Sequence, residues 1–175
     1  MSRYLIALIL LILVALQGMA MNLLPSSLVY TNLLITPHWA LCFILLLAIF
    51  YDNDRTYHSL WFGLLFGLLI DVAYTGVLGV YMVTYGFVAY TIHGLTKLLH
   101  ANFLSASLLI ILGVALADTL LFIIYSFVQV ASMAWSTYAL QRLLPTLAAN
   151  MIFFVIIYPI MKNRIVQWSE DIHNA

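Results

Sequence analysis

The 175-residue chain is 66% hydrophobic and only 7% charged, and its mean hydropathy is +1.11. Soluble domains carry about 25% charged residues, and so few charges cannot cover a small protein in water, so a soluble globule is excluded. A formal net charge of zero gives no basic field for nucleic acid. Since each membrane span consumes about 20 residues, the length predicts one membrane domain.

Six apolar stretches predict a polytopic, all-α membrane protein. Backbone polar groups in hydrocarbon must be satisfied within their own segment, so each stretch is expected to be helical. Pro37 interrupts the second stretch, which we therefore expect to be short, tilted or partly re-entrant. The predicted helices are 4–24, 34–51, 57–75, 78–96, 103–128 and 145–162.

The first stretch has two interpretations. Arg3, an apolar run and then Gly18-Met19-Ala20 resemble a cleavable signal peptide. The apolar run continues through Leu23-Leu24, beyond the cleavage point, and this favours a retained transmembrane helix. We expect the helix to be retained.

The basic residues predict the orientation, because short cytoplasmic loops retain Lys and Arg. When six helices are threaded through the membrane, Arg142 alone falls on the outer side. Both termini are then cytoplasmic. The basic residues on the cytoplasmic side are Arg3, Arg55, Lys97, Lys162 and Arg164.

The connection 129–144 contains Trp135, Tyr138 and Arg142 among small and apolar residues. Such a segment can lie flat in the outer interface as a short amphipathic helix. An ordinary loop is the alternative.

Two carboxylic acids, Asp71 and Asp118, fall inside apolar stretches. A charged side chain at membrane depth is unfavourable unless it is paired, protonated or facing water. Acids in such positions are the default candidates for function, and these two are the candidate site residues of the chain.

Asp71 ends a stripe of small residues on the third helix. Residues four apart share a helix face, so Gly63, Gly67 and Asp71 form one flank, and Gly79 follows after a turn. Small residues at this spacing let another backbone approach closely. The stripe therefore predicts either a packing seam with a locally satisfied acid, or a contact surface for a partner or ligand.

Asp118 lies deeper, in the small-residue run Gly113 to Thr119. With few basic residues at membrane depth, we expect at least one of the two acids to be protonated or bonded to hydroxyls and amides. A proton relay is the alternative use of such an acid. The expected partners are Thr119, Asn150, Thr84 and Gln129.

Catalytic and metal-binding patterns are missing from the sequence. Cys42 stands alone in an apolar run, and no serine stands in a nucleophile context. His93, one turn before Lys97, is expected to make an interhelical hydrogen bond. No enzyme activity and no cofactor are therefore predicted. The histidines lack metal-ligand spacing: His38, His58, His93, His100 and His173.

The segment from Gly63 to Tyr90 carries a resemblance to a known family. It contains G-x-x-x-G-L-L-x-D, a short spacer, Leu78-Gly79 and an aromatic-rich helix. This pattern resembles the rod shape-determining MreD family of bacteria, whose length and six spans also agree. The resemblance assigns Gly63, Gly67, Asp71 and Gly79 to the family pattern, whereas Asp118 is inferred from its position alone.

The resemblance implies a non-enzymatic membrane scaffold in the bacterial cell membrane. Such a protein would bind the bitopic protein MreC and help couple MreB filaments to RodA and a class B penicillin-binding protein, maintaining rod shape. The implied fold is similar to the S components of energy-coupling-factor transporters. A vitamin-binding S component is therefore the alternative function, with a pocket lined by Tyr74, Tyr81, Trp135 and Tyr138.

Overall fold

The computed structural model describes residues 2–23, 34–53, 56–99, 102–130 and 133–173. Their regular structure is helical, which confirms the predicted all-α class for this part of the chain. The sixth helix, α6, begins as the α-helical turn Trp135–Thr137, passes through the π-helix Tyr138–Leu143 and continues as Leu144–His173. The preceding helices are α1 Ser2–Leu23, α2 Trp39–Phe50, α3 His58–Tyr74, α4 Val80–Thr96 and α5 Phe103–Phe127.

Three segments within these helices are long and apolar enough to cross a membrane, namely Arg3–Ala20, Phe103–Phe127 and Trp135–Asp171. The last has 37 residues and is about 55 Å long, so it exceeds the hydrocarbon thickness of about 30 Å. Helices α2 and α3 are apolar but shorter. The count of six spans stays a prediction.

Helix α2 forms the centre of the bundle. Its residues Ala40 to Ile49 are buried, and it contacts every other helix. A helix that is apolar on all sides is stable when other helices surround it, as here. With 12 residues it is only about 18 Å long, which is typical of a buried core helix.

The predicted start of this helix at residue 34 is wrong. Residues 34–38 are not helical, and α2 begins at Trp39. Pro37 explains the difference, because a proline disfavours helical backbone at the residue before it. The chain therefore enters the bundle as an irregular segment and becomes helical only inside it.

The predicted separate short helix or loop at 129–144 is also wrong from Trp135 onward, whereas its location in the outer interface stays a prediction. These residues form the start of α6, ten residues before the predicted start at 145. Pro145 has no N–H to donate to the carbonyl of Gln141 and would break an ordinary helix at this point. The π-helical turns accommodate it, and the Leu144 N–H donates to the carbonyl of Ala139 instead.

The outside of the bundle is covered with large apolar side chains. Leu65, Leu104 and Ile152 lie on three different helices, and each is more than half exposed. Exposed aliphatic surface on this scale is suited to lipid and not to water. The described surface therefore agrees with the membrane protein that the composition predicts.

Candidate functional site

The Asp71 carboxylate is buried at the start of α4. It accepts hydrogen bonds from the backbone N–H groups of Gly79, Tyr81 and Met82, each at 3.0 Å. The Thr75 hydroxyl donates to the same carboxylate at 3.3 Å. Four donors thus converge on one acid, and this compensates for its removal from water.

The position of these donors explains why an acid is needed. The first N–H groups of a helix have no partner within the helix, and the helix dipole makes that end positive. Helix α4 is preceded by Gly79, which has a left-handed φ of 94° and no side chain to supply a cap. Asp71 reaches across from the end of α3 and caps α4 in its place.

The two stripe glycines hold α3 and α4 together. A Cβ atom on Gly67 would lie 2.6 Å from the carbonyl oxygen of Tyr81, and one on Gly63 would lie 2.9 Å from the carbonyl oxygen of Tyr85. Both contacts are with backbone atoms, which cannot rotate away. Only glycine therefore permits this approach of the two helices.

The structure thus brings Gly63, Gly67, Asp71 and Gly79 together in one interface between α3 and α4. This cluster, which we call the α3–α4 seam, contacts a helix of the same chain. Of the readings that the sequence left open, the geometry is that of a packing seam with a locally satisfied acid. A role of the seam in binding a partner stays a prediction.

Asp118 is held by the Arg142 guanidinium, with the His38 ring beside it. The Arg142 guanidinium donates to it through Nε at 3.2 and 3.4 Å and through Nη2 at 3.1 Å. The His38 Nε2 lies 3.6 Å from the same carboxylate. Asp118 and His38 are fully buried, whereas the Arg142 side chain is 21% exposed. The acid is therefore the buried half of an ion pair.

This pairing changes the expected partners of Asp118. The π-helical part of α6 carries Arg142 to the acid, and the side of the membrane on which Arg142 lies stays a prediction. Of the hydroxyl and amide partners expected for this acid, Thr119 bonds the Tyr138 hydroxyl, Asn150 bonds backbone groups, and the buried Thr84 hydroxyl has no partner among the described residues. The sequence offered no spacing signal for the ion pair, because 24 residues separate its members.

His38 links Asp118 to the centre of the bundle. Its Nδ1 lies 2.9 Å from the Tyr85 hydroxyl, and its backbone N–H donates to the Asn150 Oδ1 at 2.7 Å. The Asn150 side-chain amide also donates to the carbonyl of Thr36 at 3.0 Å. We call Asp118, Arg142, His38, Tyr85 and Asn150 the polar cluster.

The irregular segment 34–38 is fastened to α6 beside this cluster. The Leu34 N–H donates to the Gln141 carbonyl at 2.8 Å, and the Thr36 N–H donates to the Thr146 hydroxyl at 3.0 Å. The Gln141 carbonyl is available because Pro145, four residues later, has no N–H. Pro145 thereby leaves the Gln141 carbonyl free to accept a hydrogen bond from the non-helical backbone of segment 34–38.

The described side chains form no group that could hold a metal ion. The four aromatic residues expected to line a vitamin pocket make contacts within the bundle. Tyr138 stacks on Phe122 with ring centroids 4.1 Å apart, and the Tyr74 hydroxyl donates to the Val14 carbonyl at 3.2 Å. The vitamin-binding alternative stays a prediction.

A sequence model of rod shape-determining protein MreD matches residues 2–164, a range that includes the seam and the polar cluster. The chain belongs to the MreD family. It is 25% identical over 151 residues to the rod shape-determining protein MreD of Bacillus subtilis strain 168, covering 86% of each chain. No solved structure matches it.

MreD-family membership confirms the resemblance drawn from Gly63 to Tyr90. It assigns the chain a role in rod shape determination. The family is described by this role in cell shape and not by a catalytic activity. Together with the long apolar helices, it identifies a bacterial membrane protein. The described geometry adds that both buried acids, Asp71 and Asp118, are engaged within the chain.

Proposed function

We propose that this MreD-family chain is a non-enzymatic, multi-pass scaffold of the cell-elongation machinery, with six spans and cytoplasmic termini. It binds an MreC-like bitopic protein and helps couple MreB filaments to peptidoglycan synthesis by RodA and a class B penicillin-binding protein. Membrane lipids surround it, and no cofactor takes part.

One observation carries the non-enzymatic part of the proposal. The Asp71 carboxylate is occupied by three helix N–H groups, and the Asp118 carboxylate is occupied by Arg142. A general base has to present a free oxygen to its substrate. Acids engaged in this way support the arrangement of helices, which suits a scaffold.

The outer surface of α3 supports the proposal of a partner helix. The seam faces α4, whereas Leu65, Leu69 and Val72 face outward on the same helix. With Tyr4 and Leu8 of α1, they line an apolar groove of about 610 Å³. A groove between two helices can accept the apolar side chains of a third helix, as the transmembrane segment of a bitopic protein would supply. The seam then contributes by fixing α3 beside α1.

The test is co-purification of the full chain with its MreC partner from native membranes. Leu65→Trp and Leu8→Trp place bulky rings in the groove and are expected to reduce recovery of the partner at least about fivefold, the effect of about 1 kcal/mol of overpacking. Leu104→Trp and Ile152→Trp are the controls, because these leucine and isoleucine positions on α5 and α6 are at least as exposed and lie outside the groove. If all four variants recover the same amount of the MreC partner, the groove is not the binding site for the partner helix.

Variants of the α3–α4 seam test whether the seam contributes indirectly to partner binding by fixing the position of α3. Asp71→Asn and Gly67→Leu are expected to displace α3 from α4, weaken co-purification and round the cells. Wild-type rods and full recovery of the partner with both variants would contradict any role of the seam in the scaffold. Loss of partner binding with the groove variants alone would locate the function in the outer face of α3.

A further inference from the structure

A second cavity lies at the other end of the bundle from the polar cluster. It has a volume of about 400 Å³ and is bordered by the second half of α4 and by the residue that precedes α3. We call it the α4 cleft. Its main lining residues are Tyr57, Phe87, Tyr90, His93 and Lys97.

His93 is the unusual member of the α4 cleft. It is only 3% exposed, and neither ring nitrogen has a hydrogen-bond partner among the described residues. The expected interhelical hydrogen bond is therefore wrong. Its nearest ring neighbour is Tyr57, in an edge contact at 5.0 Å. Buried polar groups are nearly always bonded, so an imidazole with two unpaired nitrogens that borders a cavity indicates a ligand that bonds at least one of them.

The rest of the cleft indicates the chemistry of that ligand. Lys97 follows His93 by one helical turn and adds a positive charge, and none of the described residues that line the cavity is a carboxylate. Phe87 and Leu95 supply apolar walls, while Tyr57 and Tyr90 stack at 6.2 Å, as aromatic residues do near membrane interfaces. A ligand with an anionic head and an apolar body matches both surfaces.

We propose that the α4 cleft binds the phosphate group of an anionic phospholipid, with His93 as hydrogen-bond donor and Lys97 as counter-charge. A neutral imidazole carries one N–H in either tautomer, so donation to a phosphate oxygen needs no protonation of the ring. The basic residues predict that this end of the bundle is cytoplasmic, where anionic headgroups attract Lys and Arg. The site is independent of the scaffold function.

The experiment measures lipid binding to the purified full chain by native mass spectrometry, with phosphatidylglycerol and phosphatidylcholine of identical acyl chains. The wild type is expected to prefer phosphatidylglycerol. His93→Phe keeps a ring but removes both nitrogens, and it should reduce this preference about tenfold, the loss of one hydrogen bond to a charged group. Equal binding of the two lipids by the wild type would overturn the proposal.

Three further variants distinguish binding in the α4 cleft from a non-specific attraction of anionic lipid to basic residues. Lys97→Gln removes the exposed charge without disturbing the core, and Gly94→Leu fills the cleft from a position where a Cβ atom would meet nothing within 4 Å. Both should lower the preference. Lys162→Gln is the matched control, because Lys162 lies over the Phe50 ring at the same end of the bundle but outside the cleft. If Lys97→Gln and Gly94→Leu both keep the wild-type preference for phosphatidylglycerol, the α4 cleft is not the lipid-binding site.

Two added measurements fix the source of the ligand and the role of His93. Inorganic phosphate at the concentration of the lipid should not displace phosphatidylglycerol, and displacement would assign the site to a soluble anion instead. The thermal stability of His93→Phe in lipid-free detergent should equal or exceed that of the wild type, because an unpaired buried group is removed. A large loss of stability would show that His93 serves only the fold.

Discussion

The two buried acids of this MreD-family protein are stabilised in opposite ways. Asp71 is surrounded by backbone N–H groups at the start of α4, whereas Asp118 faces the Arg142 guanidinium and the His38 ring. Three of the four donors to Asp71 belong to the main chain, whereas both groups beside Asp118 are side chains distant in sequence. Both solutions meet the same requirement, a carboxylate in a medium that cannot hydrate it.

The difference determines which substitutions each region tolerates. Helix N–H groups remain in place whatever side chains are changed around them, so the Asp71 region can be broken only at the acid or at the close approach of α3 and α4. The Asp118 region can be broken from either partner, since removal of one leaves the other buried and charged. The polar cluster is therefore expected to be the more fragile of the two.

Arg142→Gln is expected to have the largest effect. It leaves a buried carboxylate with only His38 beside it, and breaking a buried pair in this way costs about 3–5 kcal/mol. The measurement is the free energy of unfolding in mixed detergent micelles. Arg164→Gln is the control, because Arg164 is an exposed cation on the same helix. The double variant Asp118→Asn with Arg142→Gln should recover most of the loss, and no recovery would contradict the pairing.

Asp71→Ala is expected to come next, with a loss of about 2–3 kcal/mol for leaving three helix N–H groups without an acceptor. The same unfolding titration measures it. Asp171→Asn, at an exposed position near the end of α6, should change stability by less than about 0.5 kcal/mol. A loss for Asp71→Ala as small as that of the control would show that water or another group caps α4.

Gly67→Ala tests the second way to break the seam. Its Cβ atom would lie 2.6 Å from a backbone oxygen of α4, so the helices must separate, at a cost of about 1–3 kcal/mol. Gly76→Ala is the matched control in the same region, because a Cβ atom there would meet nothing within 4 Å. If the two variants unfold alike, the close approach of the helices does not contribute to stability.

The smallest expected effect concerns a single hydroxyl of the polar cluster. Tyr85→Phe removes the group that bonds the His38 Nδ1 and should cost about 1 kcal/mol. Tyr158→Phe removes a buried hydroxyl that has no partner among the described residues, so it should cost nothing. Unfolding of both variants in one detergent gives the comparison directly. Equal losses in the free energy of unfolding would show that the Tyr85 hydroxyl does not stabilise the polar cluster.

The comparison of the two acids also shows what the sequence could reveal. Gly63, Gly67 and Asp71 are spaced four residues apart, so helical geometry alone places them on one face, and the acid at the end of a helix lies near the start of the next. Composition and apolar stretches likewise predicted the helical class and most helix positions. These features depend on residues close together in the chain.

The polar cluster depends on residues far apart. His38 and Asn150 are separated by 112 positions, and Arg142 reached Asp118 only because α6 begins at Trp135 and not after Pro145. A proline in an apolar segment ordinarily suggests a helix boundary, and the π-helical turns that tolerate it leave no sequence pattern. The unpaired nitrogens of His93 were equally invisible, because sequence spacing does not show where a partner is missing.

The short central helix also has a consequence for how the protein is made. At about 18 Å, α2 is too short to span the bilayer by itself, and the segment that leads into it obtains its hydrogen bonds from Gln141, Thr146 and Asn150. Those acceptors are synthesised about a hundred residues later. The segment that leads into α2 can therefore complete these hydrogen bonds only after α6 has been synthesised.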